Sequence, residues 1–279
     1  MMIDQYTEVY GVIGNPVRHS LSPTMHNAAF SEMGVNAVYL AFEVEDIKEC
    51  MGGVRSLKIK GLSVTIPFKS DIIPLLDEVD DLAMAIGAVN TVVNEGDRLK
   101  GFNTDAMGAL RSLEEKTDLQ GKGVVIIGAG GTARAIGYIL KKRGLEIIIT
   151  NRSVDRGMNL CRILDCEFIR PDKLADINTD ILINTTPVGM SPNIDNSPVS
   201  ESAFKNGMIV MDVIYNPIKT RLLAMAEARG CLTINGLNMF TYQGAEQIRL
   251  WTGLDAPVEV MINTVERELL LLKEKKPQV

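Results

Sequence analysis

Short apolar runs alternate with segments of helical period along the first hundred residues. Runs of branched and aromatic residues bounded by turn residues are typical of strands, and apolar residues spaced three or four apart predict helices. The predicted strands span residues 9–13, 38–42 and 62–66, and the predicted helices span 23–33, 46–57 and 69–76. Such alternation predicts parallel strands joined by helical crossovers.

A hairpin and a long helix are expected to close this first series. Residues 90–94 and 98–102 are strand-like and are joined by Glu95-Gly96-Asp97, a sequence that suits a tight turn. The helix that follows is predicted from residue 105 to residue 116.

A second series begins after Gly121 and contains five further apolar runs. The predicted strands span residues 124–127, 146–150, 180–184, 208–212 and 232–235. Helical segments separate them, which predicts a doubly wound, Rossmann-like parallel sheet. Two last helices, over 237–251 and 257–275, are expected to complete the first domain. The predicted fold class is therefore α/β with two domains, residues 1–104 with 237–279 and residues 105–236.

The composition narrows the classes of protein to which the chain can belong. Of its 279 residues, 46% are hydrophobic and 23% are charged, and no apolar run approaches the roughly 18 residues that a membrane span requires. The first residues lack the basic flank and apolar core of a secretory signal, which favours a cytoplasmic location. A formal charge of −6 without a Lys/Arg-rich stretch argues against nucleic-acid binding.

The cysteines and histidines do not suggest a metal site. The chain has four Cys and two His, and these form neither a CxxC pair nor a Cys/His zinc pattern. We therefore expect packed, reduced thiols and no bound metal.

A glycine-rich sequence follows the first strand of the second series. Gly128-Ala129-Gly130-Gly131-Thr132-Ala133 matches G-x-G-x-x-[GA] and leads into a helix rich in Ala and Ile. Gly128 would permit a tight turn, Gly130 would let the backbone approach a pyrophosphate, and Ala133 would allow close helix packing. Strand, turn, helix and next strand fall within about 30 residues, as a dinucleotide site requires. A glycine-rich turn without a ligand is the alternative.

The end of the next predicted strand indicates which dinucleotide binds. The sequence Thr150-Asn151-Arg152-Ser153 offers no acidic side chain to the ribose hydroxyls of NAD. Arg152 suits a 2′-phosphate instead, and Arg156, one helical turn further, can reinforce it. We therefore expect NADP. The alternative is a solvated pair of arginines partly neutralised by Asp155.

Hydride transfer at an alcohol carbon also requires a group that exchanges a proton with the oxygen. His19 and His26 lie in or beside the first predicted helix, where packed or capping histidines are common. Lys69 is the better candidate because, like Ser63 and Thr65, it lies near the carboxyl end of a predicted strand, where α/β sheets bind ligands.

Two helix starts carry further polar groups. Ser22 as N-cap and Pro23 as first helical residue would leave backbone amides and hydroxyls open to a carboxylate. Asn103-Thr104-Asp105 opens the helix after the hairpin, with Thr104 or Asp105 as its cap.

Eight groups of residues, in this order along nearly the whole chain, resemble the motifs of the shikimate dehydrogenase family. They are Asn15-Pro16, Ser20-x-Ser22-Pro23 with His26-Asn27, Val64-Thr65-Ile66-Pro67-x-Lys69, Gly87-Ala88-Val89-Asn90-Thr91, Gly101-x-Asn103-Thr104-Asp105, Asn184-Thr185-Thr186-Pro187-x-Gly189-Met190, Asp212-x-x-Tyr215-Asn216-Pro217, and Gln243. The resemblance implies a substrate domain, an inserted NADP domain and no metal. It also implies reversible reduction of 3-dehydroshikimate to shikimate by a monomer or homodimer.

The resemblance also implies a role for each matching residue. Lys69 would be the acid/base group, coupled to Asp105 as one titrating unit. The substrate carboxylate would contact Ser20 and Ser22, assisted by Tyr215. The ring hydroxyls would contact Thr65, Asn90, Asp105 and Gln243, with Ser63 beside them. The cofactor would contact Gly128, Ala129, Gly130, Gly131, Ala133, Asn151, Arg152, Ser153, Arg156, Thr185, Gly236 and Met239.

One position departs from the family pattern. Residue 63 is Ser where many members have Asn, which shortens the side chain and removes an amide donor near the substrate. Because such a change alters discrimination between hydroxyl patterns, a quinate/shikimate dehydrogenase of broader specificity is the first alternative. A non-catalytic NADP-binding sensor is the second, although a sensor would be expected to lack Lys69 or Asp105. Relatives acting on folates or tRNA-linked substrates fit Ser20, Ser22 and Asp105 poorly.

Overall fold

The structure is a computed structural model that describes residues 3–96 and 98–274. Asp97 in the predicted hairpin turn and Lys275 at the predicted end of the last helix lie outside these residues. The described chain forms two compact units. One takes in the residues up to Thr104 and from Thr241 onwards, and the other is Asp105–Phe240. Each unit combines a sheet with helices, which confirms the α/β fold class.

The elements are numbered in chain order. The strands are β1 Glu8–Gly14, β2 Ala37–Glu43, β3 Gly61–Val64, β4 Glu78–Val79, β5 Thr91–Glu95, β6 Arg98–Phe102, β7 Gly123–Ile127, β8 Glu146–Thr150, β9 Glu167–Ile169, β10 Ile181–Asn184, β11 Ile209–Asp212 and β12 Leu232–Ile234. The helices are α1 Ser22–Glu32, α2 Ile47–Ser56, α3 Asp81–Ile86, α4 Asp105–Glu114, α5 Gly131–Lys142, α6 Val154–Leu164, α7 Arg221–Ala228, α8 Gly236–Thr252 and α9 Val258–Glu274. No helix in the described part of the chain is long and apolar enough to cross a membrane.

The first unit contains a mixed sheet in the order β2-β1-β3-β5-β6-β4. Strand β1 pairs in parallel with β2 and β3, whereas β5 runs antiparallel to both β3 and β6. One face of the sheet is covered by α2, whose Met51 and Val54 join fully buried Ile13, Leu62 and Val92 in one apolar cluster. Packing of α1 against α9 brings the end of the chain back to this unit.

One predicted helix of the first unit is wrong. Residues 69–76 form turns and a short 3₁₀ segment, Ile73–Leu75, instead of an α-helix. Pro74 lies inside this segment, where its ring would clash with the carbonyl four residues earlier and its missing N–H would break the helical ladder. Strand β4 and helix α3 follow and are not predicted by the pattern. Helix α3 begins after Asp80, which accepts a hydrogen bond from the Leu82 N–H.

The second unit contains a parallel sheet in the order β12-β11-β10-β7-β8-β9. Numbered within the unit, this is the strand order of a doubly wound dinucleotide-binding fold, with the direction of winding reversing between β7 and β10. Strands β10 and β11 are buried along their whole length because helices cover both faces. The short strand β9 is not predicted by the apolar pattern.

Helix α8 continues into the first unit after Phe240 and packs closely on its sheet. The indole N–H of Trp251 donates to the Val92 carbonyl over 2.9 Å. The Trp251 ring lies against the backbone of Gly61, where a Cβ atom would overlap it. Gly61 is therefore needed for the approach of the helix to β3.

Gly61→Ala is expected to destabilise the protein by about 1–3 kcal/mol, because the added methyl forces Trp251 out of its contact with the strand. Gly52→Ala is the matched control, since Gly52 is exposed within α2 and its Cβ would meet nothing. This control should raise stability by about 0.5–1 kcal/mol. Urea unfolding measures both, and equal stability changes in the two variants would contradict the packing described here.

Candidate active site

A chain of hydrogen bonds inside the first unit begins at the two serines near the start of α1. The Ser20 hydroxyl donates to the Ser22 hydroxyl over 3.1 Å and accepts from the Ser22 backbone N–H. The Ser22 side chain in turn makes a hydrogen bond with the phenol of Tyr39. Burial raises the pKa of Tyr39, so the phenol stays protonated. It donates to the Ser63 hydroxyl over 2.5 Å.

The same chain continues from Ser63 through helix α8 to the start of β5. The Ser63 hydroxyl donates to Oε1 of Gln247 over 2.7 Å. Nε2 of Gln247 donates to the Asn90 carbonyl and to the Thr91 hydroxyl, over 3.2 and 3.0 Å. The Thr91 hydroxyl then donates to Oδ1 of Asn90 over 2.8 Å. Four predicted substrate-binding residues from three separate segments, Ser20, Ser22, Ser63 and Asn90, therefore lie in one connected network.

Asn90 also fixes the segment that leads to α4. Its Oδ1 accepts from the Thr104 backbone N–H over 2.8 Å, and its Nδ2 donates to the Thr104 hydroxyl over 3.0 Å. Asp105 is the next residue, buried at the first turn of α4. The main chain of Lys69 lies next to the residue that precedes Asn90, because the Lys69 carbonyl accepts a hydrogen bond from the Val89 N–H over 2.7 Å. The main chains that carry the predicted acid/base residues are thus anchored at residues 89 and 90.

The other predicted residues of the first unit lie beside this network. Thr65 follows the end of β3, and its backbone N–H donates to the Ile13 carbonyl. Gln243 lies one helical turn before Gln247 on α8, so the two amides share a helix face. The predicted cap of α1 is wrong by one residue. The N-cap is Leu21, and the backbone N–H of Ser22 is already bonded to Ser20 instead of being open to a ligand.

The sequence pattern does not single out Tyr39, Thr91 or Gln247, which connect the predicted residues. Each carries a polar group at a position whose exposure is 1% or less, and buried polar groups need partners. For Gln247 the spacing of four residues from Gln243 on a predicted helix is a usable signal. For Tyr39 and Thr91 no comparable signal exists, because both lie in strand-like segments where tyrosine and threonine are common.

His26 is a buried neighbour of the network and does not act as its proton carrier. Its ring stacks on Tyr39 at 4.2 Å, and Nδ1–H donates to the Ser22 carbonyl over 2.9 Å. Burial lowers the pKa of His26 to about 4, against smaller opposing effects of the Ser22 backbone, the Gln247 side chain and the Gly244 backbone. The imidazole is therefore neutral near pH 7, and this packed role agrees with the expectation from the sequence.

In the second unit the predicted cofactor residues gather at the carboxyl edge of the parallel sheet. After β7, Gly128 has a φ of 120°, a conformation that favours glycine. A Cβ at this position would overlap the Thr185 side chain, which follows the neighbouring strand β10. Gly130 is the N-cap of α5 and offers no side-chain cap, so the first amides of this helix are open to an anion. Ala129 and Gly131 complete the turn, and Ala133 is fully buried.

The end of β8 presents positive charge. Arg152 and Arg156 are both exposed, and neither forms an ion pair with any described residue. Ser153 caps α6 by accepting a hydrogen bond from the Arg156 N–H, and Asn151 bonds to the Ser153 carbonyl. No carboxylate occupies residues 150–153. The turn therefore offers two guanidinium groups and a helix start to a phosphate.

A buried polar cluster supports the rest of this edge. Asp212 accepts from Nδ2 of Asn184, the Ile214 N–H and the Thr220 hydroxyl, over 3.0, 3.1 and 2.7 Å. Burial raises the pKa of Asp212 to about 6, although the three donors favour its charged form. The cluster fixes the loops after β10 and β11, which carry Thr185 and Tyr215.

The remaining predicted residues lie at the start of α8. The backbone of Gly236 packs on the Val213 carbonyl so closely that a Cβ would overlap it. Met239 is buried one turn further along the helix, and the Tyr215 ring stacks on Phe240 at 4.2 Å. Among residues 3–96 and 98–274, no group of three His, Cys, Asp or Glu side chains is placed to hold a metal ion.

Together, an open glycine turn at the reversal point of a doubly wound sheet and a second α/β unit define a dinucleotide-dependent protein of the dehydrogenase class. Family models agree along most of the chain. Residues 12–92 match the shikimate dehydrogenase substrate binding domain, residues 110–227 the shikimate/quinate 5-dehydrogenase model and residues 236–266 the shikimate 5′-dehydrogenase C-terminal domain. The chain belongs to the shikimate dehydrogenase family, as the sequence motifs predict.

Individual relatives match over nearly their full length. The chain is 43% identical to a shikimate dehydrogenase (NADP(+)) of Pyrococcus furiosus, over 99% of this chain and 100% of that protein. A crystal structure of a shikimate dehydrogenase in complex with NADP⁺ is 43% identical, has a TM-score of 0.93, and matches 96% of this chain and 98% of that one. A quinate dehydrogenase from Corynebacterium glutamicum in complex with NAD is 31% identical with a TM-score of 0.88, over 94% of this chain and 99% of that one.

The depressed pKa of His26 predicts a loss of stability in acid. The folded state disfavours the imidazolium, so the unfolded chain binds more protons between pH 6.5 and pH 4. This contribution of about 3 kcal/mol is fully present above pH 6.5 and disappears as the pH falls towards 4. His26→Phe keeps a ring at this position and removes the titration. Urea unfolding at a series of pH values should give a shallower slope for the variant, and parallel slopes would refute the assignment.

Proposed function

We propose that the chain is an NADP-dependent dehydrogenase that reversibly reduces 3-dehydroshikimate to shikimate. The observation that carries the proposal is the connected network of Ser20, Ser22, Ser63 and Asn90, which gathers serine hydroxyls and an amide in a unit matched by the family's substrate-binding model. The relatives named shikimate dehydrogenase (NADP(+)) support the same reaction.

The two proposed domains bind different ligands. Residues 1–104 and 237–279 bind the substrate and carry the acid/base group, and residues 105–236 bind NADP. Support for this division comes from the two compact units and from the family models that match each part of the chain.

Polar side chains, most of them from the substrate domain, hold a carboxylate and ring hydroxyls. Ser20 and Ser22 contact the carboxylate with help from Tyr215. The hydroxyls are held by a set of polar residues, namely Ser63, Thr65, Asn90, Asp105 and Gln243. A site built from such groups rejects analogues that leave a buried donor or acceptor unpaired, which is a strong source of specificity.

Lys69 and Asp105 exchange the proton that accompanies the redox step. NADP⁺ supplies the hydride acceptor when bound. Lys69 takes the proton of the reacting hydroxyl as it becomes a carbonyl and returns one in the reverse direction. Asp105 orients the ammonium group and stabilises its charge, so the two act together as one acid/base unit.

The cofactor residues bind pyrophosphate and 2′-phosphate at different points of the sheet edge. The turn Gly128–Gly131 and the open start of α5 suit the pyrophosphate. Asn151, Arg152, Ser153 and Arg156 suit the 2′-phosphate, since two exposed guanidinium groups lie where an NAD site would place an acid. Ala133, Thr185, Gly236 and Met239 complete the proposed contact set.

Oxidation of quinate is the second candidate function. Ser63 favours it, because a residue shorter than the family's usual asparagine changes how the ring hydroxyls are contacted.

The proposal also places the protein in the cytoplasm, as a monomer or homodimer. The free thiols of Cys50, Cys161, Cys166 and Cys231 are consistent with a reducing compartment.

Lys69→Ala is expected to lower kcat for shikimate oxidation by about 100-fold or more, since the general acid/base group is lost. NADP binding should be largely unchanged in a fluorescence titration. Lys48→Ala is the control, because Lys48 is an exposed lysine of α2. Near-normal turnover in Lys69→Ala would overturn the catalytic assignment.

Arg152→Ala is expected to reduce kcat/KM for NADP by about 10- to 100-fold, the range for loss of a charge-assisted bond to phosphate. The value for NAD should change little. Arg162→Ala on the same helix is a matched control, because Arg162 is exposed in the last turn, away from the helix start. Equal losses for NADP and NAD in Arg152→Ala would remove the 2′-phosphate argument.

A further inference from the structure

The hydroxyl of Ser63 already donates its proton in a hydrogen bond within the protein. A serine hydroxyl has one hydrogen to donate and two lone pairs to accept with. At Ser63 the hydrogen points to Oε1 of Gln247, and one lone pair accepts from Tyr39. What remains for any ligand is a single lone pair.

The direction of the Gln247 amide is fixed by its other contacts. Its Nε2 lies 3.2 Å from the backbone carbonyl of Asn90, a group that can only accept. Turning the amide over would set the Gln247 and Asn90 carbonyl oxygens against each other in a buried site, an unfavourable contact. Oε1 therefore faces Ser63 and requires its proton.

The contacts of Tyr39 favour the same direction of hydrogen bonding. The phenol is fully buried, and it donates to Ser63 while the Ser22 side chain bonds to the phenol. If Ser63 donated to Tyr39 instead, Oε1 of Gln247 would lose the proton that Ser63 now supplies. The arrangement from Tyr39 through Ser63 to Gln247 thus gives each of these three side chains a partner.

We propose that Gln247 is a specificity-determining positioning residue that makes Ser63 a hydrogen-bond acceptor towards the substrate and prevents it from donating. The inference rests on the proposed function and deepens it. A substrate group beside Ser63 must then be a donor, such as a hydroxyl, and a carbonyl or ether oxygen at that place is disfavoured.

The proposal also restricts which substrate hydroxyl Ser63 contacts. The reacting oxygen is a hydroxyl in shikimate and a carbonyl in 3-dehydroshikimate. A group that can only accept would lose its partner when that oxygen becomes a carbonyl. Ser63 therefore faces a ring hydroxyl that stays a hydroxyl in both directions of the reaction.

Shikimate analogues with one non-reacting hydroxyl replaced by fluorine test this directly, because fluorine is similar in size and cannot donate. The wild-type enzyme should lose about 100-fold in kcat/KM for the analogue whose fluorine faces Ser63. Gln247→Met keeps the side-chain length and removes the acceptor, so the Ser63 hydroxyl can then donate to the substrate. The ratio of kcat/KM for shikimate to that for the analogue should then fall by about 10-fold.

Three further variants complete the test. Ser63→Ala removes the opposing lone pair and should also lower the ratio, even if Gln247→Met does not fold. In the double variant the Gln247 change should add nothing further, because the group through which it acts is gone. Trp251→Phe is the control, since it removes the indole N–H that donates to the Val92 carbonyl, one turn further along α8, and removes no hydrogen bond of Ser63. It should lower stability without changing the ratio.

The outcomes separate this inference from the proposed function. A wild-type enzyme that does not oxidise shikimate with NADP⁺ contradicts the proposed function itself. If the wild type is active but Gln247→Met and Ser63→Ala keep the ratio within about twofold of its value, the acceptor role of Ser63 is refuted.

Discussion

Polar side chains that leave water must find partners inside the protein, and this constraint organises the first unit. Tyr39, Ser63 and Gln247 are almost completely buried. Tyr39 donates a hydrogen bond to Ser63, Ser63 donates to Gln247, and Gln247 donates to the Asn90 carbonyl. The chain they form connects α1, β2, β3, α8 and β5, so the groups proposed to bind the substrate are held by the core itself. Because a half-satisfied network would be costly, small changes at one residue are expected to reach the others.

The second unit relies on backbone geometry instead of side-chain networks. Its parallel strands end at one edge, and the reversal of winding between β7 and β10 leaves room there for a ligand. Gly128 allows Thr185 to approach the turn, and the uncapped start of α5 supplies amides. Arg152 and Arg156, which are proposed to select NADP over NAD, are exposed, so their charge can change without disturbing the fold.

Much of this organisation could be predicted from the sequence, for different reasons in each part. Apolar runs locate most strands because buried parallel strands need them, and the glycine turn follows from backbone requirements alone. The helix predicted over residues 69–76 failed because Pro74 opposes it, and β9 is only three residues long. Tyr39 could not be assigned a role, since a tyrosine in a strand has no distinctive spacing, and for Gln247 the spacing of four residues from Gln243 is the usable signal. Their partners are distant in sequence and exist only in the fold.

The activity proposed for this chain is that of an NADP-dependent shikimate dehydrogenase. The most direct test of this activity is the near-ultraviolet absorbance of NADPH or NADH, recorded with shikimate and with quinate side by side, each with NADP⁺ and with NAD⁺. We expect the fastest increase with shikimate and NADP⁺. No increase with shikimate under any condition, or a faster reaction with quinate and NAD⁺, would contradict it.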